Sequence, residues 1–376
     1  MDFNVLFGNF ANITWQQVVM WLIGALLIYL AIKKEMEPSL LLPIGFGTIL
    51  VNLPLSGAIT QGAEVGVLNV LDAAGISNEL FPLVLFIGVG AMIDFGPLLS
   101  NPKMLLFGAA AQFGIFVTLS LATLLGFNMA DAAAIGSVGT ADGPTALFVA
   151  NLLGSGKVGA IMVVAYSYMA LVPIIQPPVI RLLTTKKERR IRMEYKQRDV
   201  PQIVKIMFPV FVTMIAGFVA PKSVSLVGFL MFGNLIRECG VLRSLSETAQ
   251  NVMANLITLL LGITVAMQMQ ADKFLNLETL AILGLGLIAF IFDTAGGVLF
   301  AKFLNLFTKK KVNPMIGAAG ISAFPMASRV VHKMGREEDP NNFLLMHAAG
   351  ANVAGQIASV IAGGLLINLV TSGIFG

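Results

Sequence analysis

The sequence predicts an all-α polytopic membrane protein with two inverted-topology repeats, each containing a re-entrant broken-helix hairpin. Three observations carry this prediction. Of the residues, 57% are hydrophobic and only 12% are charged, about half the charged fraction of a soluble domain. Apolar runs near the roughly 20 residues that span a bilayer recur along the chain. An apolar segment broken by Gly and Pro occurs twice, at 135–154 and 316–335.

The two broken segments align without a gap, as IGSVGTADGPTALFVANLLG and IGAAGISAFPMASRVVHKMG. They share three glycines and one proline, at Gly136 and Gly317, Gly139 and Gly320, Pro144 and Pro325, and Gly154 and Gly335. Interrupted segments at corresponding places in two halves indicate a binding site near the bilayer midplane. The copies differ in polar residues, because the first carries Asp142 and the second carries Ser322, Ser328 and Arg329.

Apolar runs near the spanning length predict roughly 10–11 spans in total. The runs lie at 15–32, 39–55, 81–98, 104–126, 157–182, 203–220, 223–236, 250–268, 278–306 and 344–368. The broken segments are additional. We expect four units: N-terminal scaffold spans (1–56), a first inverted repeat (81–182) with hairpin 131–153, a basic cytoplasmic loop with linking spans (183–249), and a second inverted repeat (250–370) with hairpin 313–334.

Basic residues orient these spans, because cytoplasmic loops are enriched in Lys and Arg. The net charge of +4 is therefore a topology signal and does not indicate nucleic-acid binding. Loop 57–80 contains no Lys or Arg and is predicted to be outside. Hairpin 131–153 then enters from outside, and hairpin 313–334 enters from inside. The strongest basic cluster is placed inside and comprises Lys186, Lys187, Arg189, Arg190, Arg192, Lys196 and Arg198.

Asp142 lies in GTADGPT, inside the first broken segment. A carboxylate at membrane depth is energetically costly and by default functional. The alternative is a helix cap, because Asp followed by Gly-Pro is also a turn signature. Both roles are compatible, since an unwound turn exposes carbonyl oxygens beside the carboxylate. Hard cations such as Na⁺ bind oxygens of this kind.

Neutral oxygens accompany Asp142. Asn313 begins the second broken segment, Ser322 lies within it, and Asn352 lies in GANVAG on the final span. Each is a candidate cation ligand or an interhelical hydrogen-bonding group. Tyr168, in AYSYMALVP, is a candidate proton donor or ligand, or an aromatic packing residue.

Three further charged residues lie near the same depth in the membrane: Arg329, Asp94 and Asp293. Arg329 follows the second broken segment, and a guanidinium binds a carboxylate with two parallel hydrogen bonds; the alternative is a charge closer to the surface. Asp94 in IDFGP is interpreted as a helix cap. Asp293 in FDTAGG is expected either to pair with Lys302 or to touch an ion path. The chain shows no nucleotide-binding or hydrolase motif, so energy must come from an ion gradient or from chemistry that another subunit delivers.

Long motifs resemble the beta subunit of the sodium-pumping biotin-dependent decarboxylases. They are GVGAMIDFGPLL, AAAIGSVGTADGPTA, AYSYMALVPIIQPPVIRLLT with KKERRIRM, and NPMIGAAGISAFPMASRVV with HAAGANVAG. The resemblance covers essentially the whole chain. It implies a bacterial cytoplasmic (inner) membrane subunit that decarboxylates carboxybiotin, consumes a proton and exports Na⁺. It also implies a carboxyltransferase subunit, a biotin carrier protein and a small gamma/delta membrane subunit as partners, and a homo-oligomer of this chain.

The resemblance also implies site roles. By this resemblance, Arg329, Tyr168 and Asp142 are the catalytic residues, and Arg329 binds carboxybiotin. The expected Na⁺ ligands are Asp142, Asn313, Ser322 and Asn352. The chain departs from the oxaloacetate-type pattern in the motifs GTADGPT, GANVAG and FDTAGG, and it lacks a soluble insertion after the second span. These departures favour a CoA ester as the acyl substrate. A stand-alone Na⁺-coupled carboxylate transporter remains the alternative, with Arg329 binding a diffusing substrate, and a purely structural anchor is a third.

Overall fold

The structure is a computed structural model that describes residues 10, 12–194 and 199–372. Lys196 and Arg198 of the predicted basic cluster lie outside the described residues. Within these ranges the chain is helical, and β structure is limited to an isolated bridge between Gln61 and Glu64. The predicted all-α class is therefore confirmed.

The α-helices, numbered in chain order, are α1 (Trp15–Lys34), α2 (Pro38–Val51), α3 (Val67–Leu71), α4 (Leu80–Met92), α5 (Gly96–Ser100), α6 (Leu105–Ala110), α7 (Phe113–Leu124), α8 (Met129–Ser137), α9 (Gly143–Leu152), α10 (Val158–Leu183), α11 (Lys186–Arg189), α12 (Gln202–Val219), α13 (Val224–Glu238), α14 (Arg243–Glu247), α15 (Ala254–Val265), α16 (Ala271–Phe274), α17 (Leu277–Phe307), α18 (Met315–Ala318), α19 (Met326–Glu338) and α20 (Leu345–Thr371). Short 3₁₀ or π turns lie at Asp72–Ile76, Pro102–Met104, Val138–Thr140, Pro221–Ser223, Thr248–Met253 and Ala266–Met269.

Seven helical stretches of the described chain are long and apolar enough to cross a membrane: Trp15–Lys34, Pro102–Leu124, Val158–Leu183, Gln202–Val219, Arg243–Met269, Leu277–Phe307 and Leu345–Thr371. An eighth span results if the pair Val67–Ile76 and Leu80–Met92, bent by 61°, counts as one. The other predicted spans form the shorter helices α2, α4 and α13, of 14, 13 and 15 residues. α4 ends early because Asp94 and Pro97 start a new helix, in which the Gly96 N–H donates to Asp94 at 2.8 Å. Asp94 therefore binds the first turn of α5 from the position before its N-cap, Phe95, and is not the N-cap itself.

The first hairpin (131–153) consists of α8, the turn Val138–Thr140 and α9. Ala141 separates the two arms with φ 54°, in the left-handed region, where a helix cannot continue. The hydroxyl of Ser155 donates to Asp131 at 2.6 Å, so the two ends of the segment meet. The predicted break in this segment is therefore present and its two ends are in contact, while its re-entry into the membrane stays a prediction.

The second hairpin (313–334) consists of α18, an irregular tip and the first turns of α19. The two ends of this hairpin segment are held together at one place. The side-chain amides of Asn313 and Asn342 both donate to the carbonyl oxygen of Arg189, at 2.8 and 2.9 Å. The base of this hairpin therefore lies against the basic segment that follows α10.

Helix α10 joins the bases of the two hairpins. Its 26 residues rise about 39 Å. It begins three residues after Ser155 at the first base, and its C-terminal end leads to Arg189 at the second. The bases thus lie at opposite ends of one helix, and the tips meet between them. The inverted relation of the complete repeats and the domain boundaries stay predictions.

Candidate functional site

The tips of the two hairpins are in direct contact. The backbone N–H of Ser322 donates to the carbonyl oxygen of Thr140 at 3.1 Å. The Thr140 hydroxyl accepts from the backbone N–H of Asp142 at 3.3 Å. Both tips are buried, and their backbone is unwound next to Asp142 and Ser322. The structure therefore brings the first predicted site residue together with the second hairpin.

Asp142 lies at the N-terminal end of α9 and is 6% exposed. Its Oδ2 accepts a hydrogen bond from the Thr145 hydroxyl at 2.5 Å. No described Lys or Arg forms an ion pair with it within 4 Å. The helix dipole favours a negative charge at this position. A buried carboxylate with no protein cation beside it is a natural ligand for a small cation.

Helix α20 holds the second tip and supplies further oxygens. The Ser322 hydroxyl donates to the Gly355 carbonyl at 2.9 Å, and the Asn352 amide donates to the Ile321 carbonyl at 2.6 Å. The Gln356 amide donates to the Ser322 carbonyl. Asn352 Oδ1 is buried and has no hydrogen-bond partner. This orphaned oxygen and the Asp142 carboxylate are both oxygen ligands of the kind that a hard cation binds.

Asn313 does not join this group. Its side-chain amide donates to the carbonyls of Arg189 and Ile191, at 2.8 and 3.0 Å, and its Oδ1 accepts from the Met315 N–H at 3.1 Å. Asn313 therefore ties the base of the second hairpin to the basic segment. The sequence indicated a polar residue before a broken helix, but it could not show that the residue lies at the base and not at the tip.

The two tyrosines of the YSY motif have different surroundings. The Tyr168 hydroxyl donates to the Leu283 carbonyl at 2.7 Å. Tyr166 is 1% exposed, its hydroxyl has no partner, and its ring packs on Gly143, where an added Cβ would come within 2.5 Å. Residues two apart on a helix project about 200° apart. The YSY motif does not reveal which of its two tyrosines packs on the first hairpin, and the structure places Tyr166 there. The role predicted for Tyr168 stays a prediction.

Arg329 lies in the first turn of α19, and its side chain is exposed. Among described residues it forms no ion pair within 4 Å. Arg329 acts electrostatically on Glu37, which lies between α1 and α2: burial raises the pKa of Glu37, and the positive charge of Arg329 opposes that rise. Arg329 is thus an accessible guanidinium between the tip and the base of the second hairpin, about 14 Å along α19 from Glu338.

Asp293 is fully buried and does not pair with Lys302, so that alternative is wrong. Lys302 instead contacts Glu188 at 3.1 Å and the Leu183 carbonyl at 3.0 Å. Oδ1 of Asp293 accepts from the backbone N–H of Gly114 at 2.5 Å, and Oδ2 has no hydrogen-bond partner. Asp293 and Lys302 do not pair because they are nine residues apart on α17, which separates them by about 14 Å along the helix axis.

The seven described helices that are long and apolar enough to cross a membrane define a multi-pass membrane protein. The chain belongs to the family described as "Na+-transporting oxaloacetate decarboxylase beta subunit", which it matches over residues 16–370. The family expected from the motifs is therefore confirmed.

Individual relatives align with this chain over nearly their full length. The chain is 50% identical over 363 residues to the glutaconyl-CoA decarboxylase subunit beta of Acidaminococcus fermentans, covering 96% of each chain. It is 48% identical over 382 residues to the methylmalonyl-CoA decarboxylase subunit beta of Propionigenium modestum, again covering 96% of each. It is 46% identical over 423 residues to the probable oxaloacetate decarboxylase beta chain of Vibrio cholerae, covering 97% of each. These relatives support the decarboxylase interpretation over the stand-alone transporter.

Proposed function

We propose that this chain is the membrane subunit of a Na⁺-translocating decarboxylase in the bacterial cytoplasmic membrane. In this proposal it decarboxylates carboxybiotin, consumes a proton and exports Na⁺ from the cytoplasm. The observation that carries the proposal is Asp142, a buried carboxylate at the contact of two hairpin tips with no described cation paired to it. The family membership supplies the reaction class.

Na⁺ is the cargo, and oxygens of this chain would hold it. Asp142 supplies the charge, Asn352 Oδ1 is an unpartnered buried oxygen, and the Ser322 hydroxyl retains acceptor capacity while it donates to Gly355. Protonation of the Asp142 carboxylate would remove its charge and release the cation, so proton and Na⁺ compete for one group. Asn313 keeps a supporting role, because its amide is committed to the base of the second hairpin.

Arg329 would bind the carboxylate that is to be lost. An exposed guanidinium without an ion-pair partner fits a carboxylate that arrives from the same side as the basic segment. Carboxybiotin, delivered by a carrier, supplies the carboxylate that leaves as CO₂. Loss of CO₂ breaks the bond between the biotin nitrogen and the carboxylate carbon, and the consumed proton ends on that nitrogen; it would reach the site through a tyrosine hydroxyl. We assign this relay to Tyr166, beside Gly143, in place of Tyr168, whose hydroxyl is engaged by Leu283.

The acyl substrate would be a CoA ester, such as methylmalonyl-CoA or glutaconyl-CoA, bound by another subunit. The support is the alignment length: the glutaconyl-CoA and methylmalonyl-CoA relatives align over 363 and 382 positions, near the 376 residues of this chain, whereas the Vibrio cholerae relative aligns over 423. The longer alignment requires an insertion in the oxaloacetate-type relative. A carboxyltransferase subunit, a biotin carrier protein and a small gamma/delta subunit would complete the complex, with this subunit as a homo-oligomer.

The decisive experiment uses the purified chain in proteoliposomes with free carboxybiotin. We expect CO₂ release that depends on Na⁺, accompanied by ²²Na⁺ movement across the bilayer. Asp94→Asn serves as a matched control, because Asp94 is exposed and asparagine keeps the acceptor for the Gly96 N–H. Na⁺ movement that requires a gradient of a diffusible carboxylate and ignores carboxybiotin would establish the transporter alternative.

A further inference from the structure

Asp293 is a fully buried carboxylate that the proposed chemistry does not use. It lies in the middle of α17, and no described Lys or Arg forms an ion pair with it within 4 Å. A charged side chain at membrane depth is energetically costly and marks a functional position by default. Its surroundings show which function it serves.

One carboxylate oxygen caps a neighbouring helix. α6 ends at Ala110 and α7 begins at Phe113, so the span is broken in its middle. The first N–H groups of α7 have no partner within their own helix. Oδ1 of Asp293 accepts from one of them, the Gly114 N–H, at 2.5 Å. The positive end of the α7 dipole further favours the anion, which explains how this charge is stabilised away from water.

The other carboxylate oxygen lies against the tip of the first hairpin. A Cβ added to Gly139 would come within 2.3 Å of Oδ2, so only glycine allows this approach. Gly139 belongs to the turn Val138–Thr140. The next residue, Thr140, bonds to Asp142 through its hydroxyl and to Ser322 through its carbonyl. Asp293 therefore contacts the tip one residue before the group that joins Asp142 to the second hairpin.

We propose that Asp293 is a positioning residue that, fixed by the N-terminus of α7, holds the Val138–Thr140 turn in place and thereby sets the geometry of the Na⁺ site at Asp142. This inference rests on the proposed function for the identity of the cation. Asp293 does not touch the ion; it acts through Gly139 and Thr140. Its removal affects Na⁺ affinity more than turnover at saturating Na⁺.

The test compares Asp293→Asn and Asp293→Ala in Na⁺-dependent decarboxylation by the full chain. Asparagine keeps an acceptor for the Gly114 N–H, whereas alanine loses both contacts. We expect Asp293→Ala to raise the half-saturating Na⁺ concentration by roughly tenfold or more, as expected for loss of hydrogen bonds to a charged group. Asp293→Asn should fall between alanine and the wild type. Thr294→Val is the matched control on the same helix, because the buried Thr294 hydroxyl has no partner, and it should leave the Na⁺ dependence unchanged.

A second measurement does not depend on activity. In a Cys239→Ser background, which removes the single cysteine, Thr140→Cys and Ser322→Cys report tip contact through oxidative cross-linking. We expect Asp293→Ala to slow this cross-linking severalfold and Thr294→Val to have no effect. If Asp293→Ala does not insert, Gly139→Ala perturbs the same contact from the other side and should give the same two changes.

Equal Na⁺ shifts in Asp293→Asn and Asp293→Ala would overturn the proposal, because they would make the charge itself a ligand. An unchanged cross-linking rate in Asp293→Ala, or in Gly139→Ala if that variant is needed, would also overturn it. If the wild-type chain shows no Na⁺-dependent decarboxylation, the proposed function fails, whereas the cross-linking rates still decide whether Asp293 holds the turn.

Discussion

The backbone N–H of Ser322 donates a hydrogen bond to the carbonyl oxygen of Thr140 across 3.1 Å. These residues are far apart in sequence and lie at the tips of hairpins whose bases sit at opposite ends of α10. Both bonded residues are buried in the protein interior. Unwound backbone is tolerated at membrane depth only in such protein-lined surroundings. This contact joins two segments that are far apart in the sequence of one chain.

Asp142→Asn should abolish Na⁺ transport and decarboxylation together, while the protein still inserts into the membrane. Asparagine preserves the shape and the contact with Thr145, but it cannot supply the negative charge. The measurements are ²²Na⁺ movement and CO₂ release in proteoliposomes, with Asp94→Asn as the insertion and activity control. Partial activity with an unchanged Na⁺ requirement would remove Asp142 from the ion site.

Tyr166→Phe and Tyr168→Phe should differ. The Tyr166 hydroxyl is buried beside the first hairpin without a partner, so its loss should lower turnover by roughly 10²-fold, as for a proton-transfer group. Loss of the Tyr168 hydroxyl removes only its bond to the Leu283 carbonyl and should lower stability modestly, by about 1 kcal/mol. Decarboxylation rates and thermal unfolding in detergent distinguish the two. Severe inactivation confined to Tyr168→Phe would return the proton relay to Tyr168.

Arg329→Lys and Ser322→Ala should separate substrate binding from ion binding. Lysine keeps the charge but loses the bidentate geometry, so turnover should fall with little change in the half-saturating Na⁺ concentration. Ser322→Ala should raise that concentration by about tenfold and leave saturated turnover less affected. Rate against Na⁺ for both variants is the measurement. A shift of mainly the Na⁺ dependence in Arg329→Lys would make Arg329 a charge that tunes the ion site.

Acid should loosen the base of the second hairpin. The hydrogen bonds from Arg192, at 2.6 and 3.0 Å, lower the pKa of Asp339, helped by the Asn341 N–H and the charges of Arg192 and Arg190. Because the folded pKa lies below the unfolded value of about 3.9, this contribution to stability is present above that value and is lost as pH falls through the folded pKa. Hydrogen exchange of residues 184–193, corrected for intrinsic rates, should accelerate below about pH 4. In Asp339→Asn this acid-dependent step should be absent, and its persistence there would assign the effect to another group.

Loop 57–80 should be outside and loop 183–201 inside. In a Cys239→Ser chain, a cysteine in place of Gly62 should react with an impermeant maleimide added to intact cells, whereas one in place of Lys187 should react only after the membrane is opened. The reason is the lack of Lys and Arg in loop 57–80 and their density in 183–201. External labelling at position 187 would reverse the orientation and remove the argument for inverted repeats.

The sequence by itself determined the helical membrane class and the two broken segments, and it selected Asp142, Ser322 and Asn352 as candidate site residues. These features depend on local chemistry. Apolar length sets the spans, Gly and Pro break helices, and a carboxylate inside an apolar run requires a partner wherever the run is buried. The same local signals also identified the family, because its motifs are long and continuous.

Only the tertiary structure decided which polar groups meet. It directs Tyr166 and not Tyr168 toward the first hairpin, places Asn313 at the base of the second, and uses Asp293 to cap α7 in place of pairing with Lys302. The tyrosine outcome depends on the rotation of α10 about its axis, and the Asn313 and Asp293 outcomes depend on contacts between residues 124 and 179 positions apart. Composition and spacing do not specify that rotation, because an apolar helix in a membrane has no polar face to mark which side is buried.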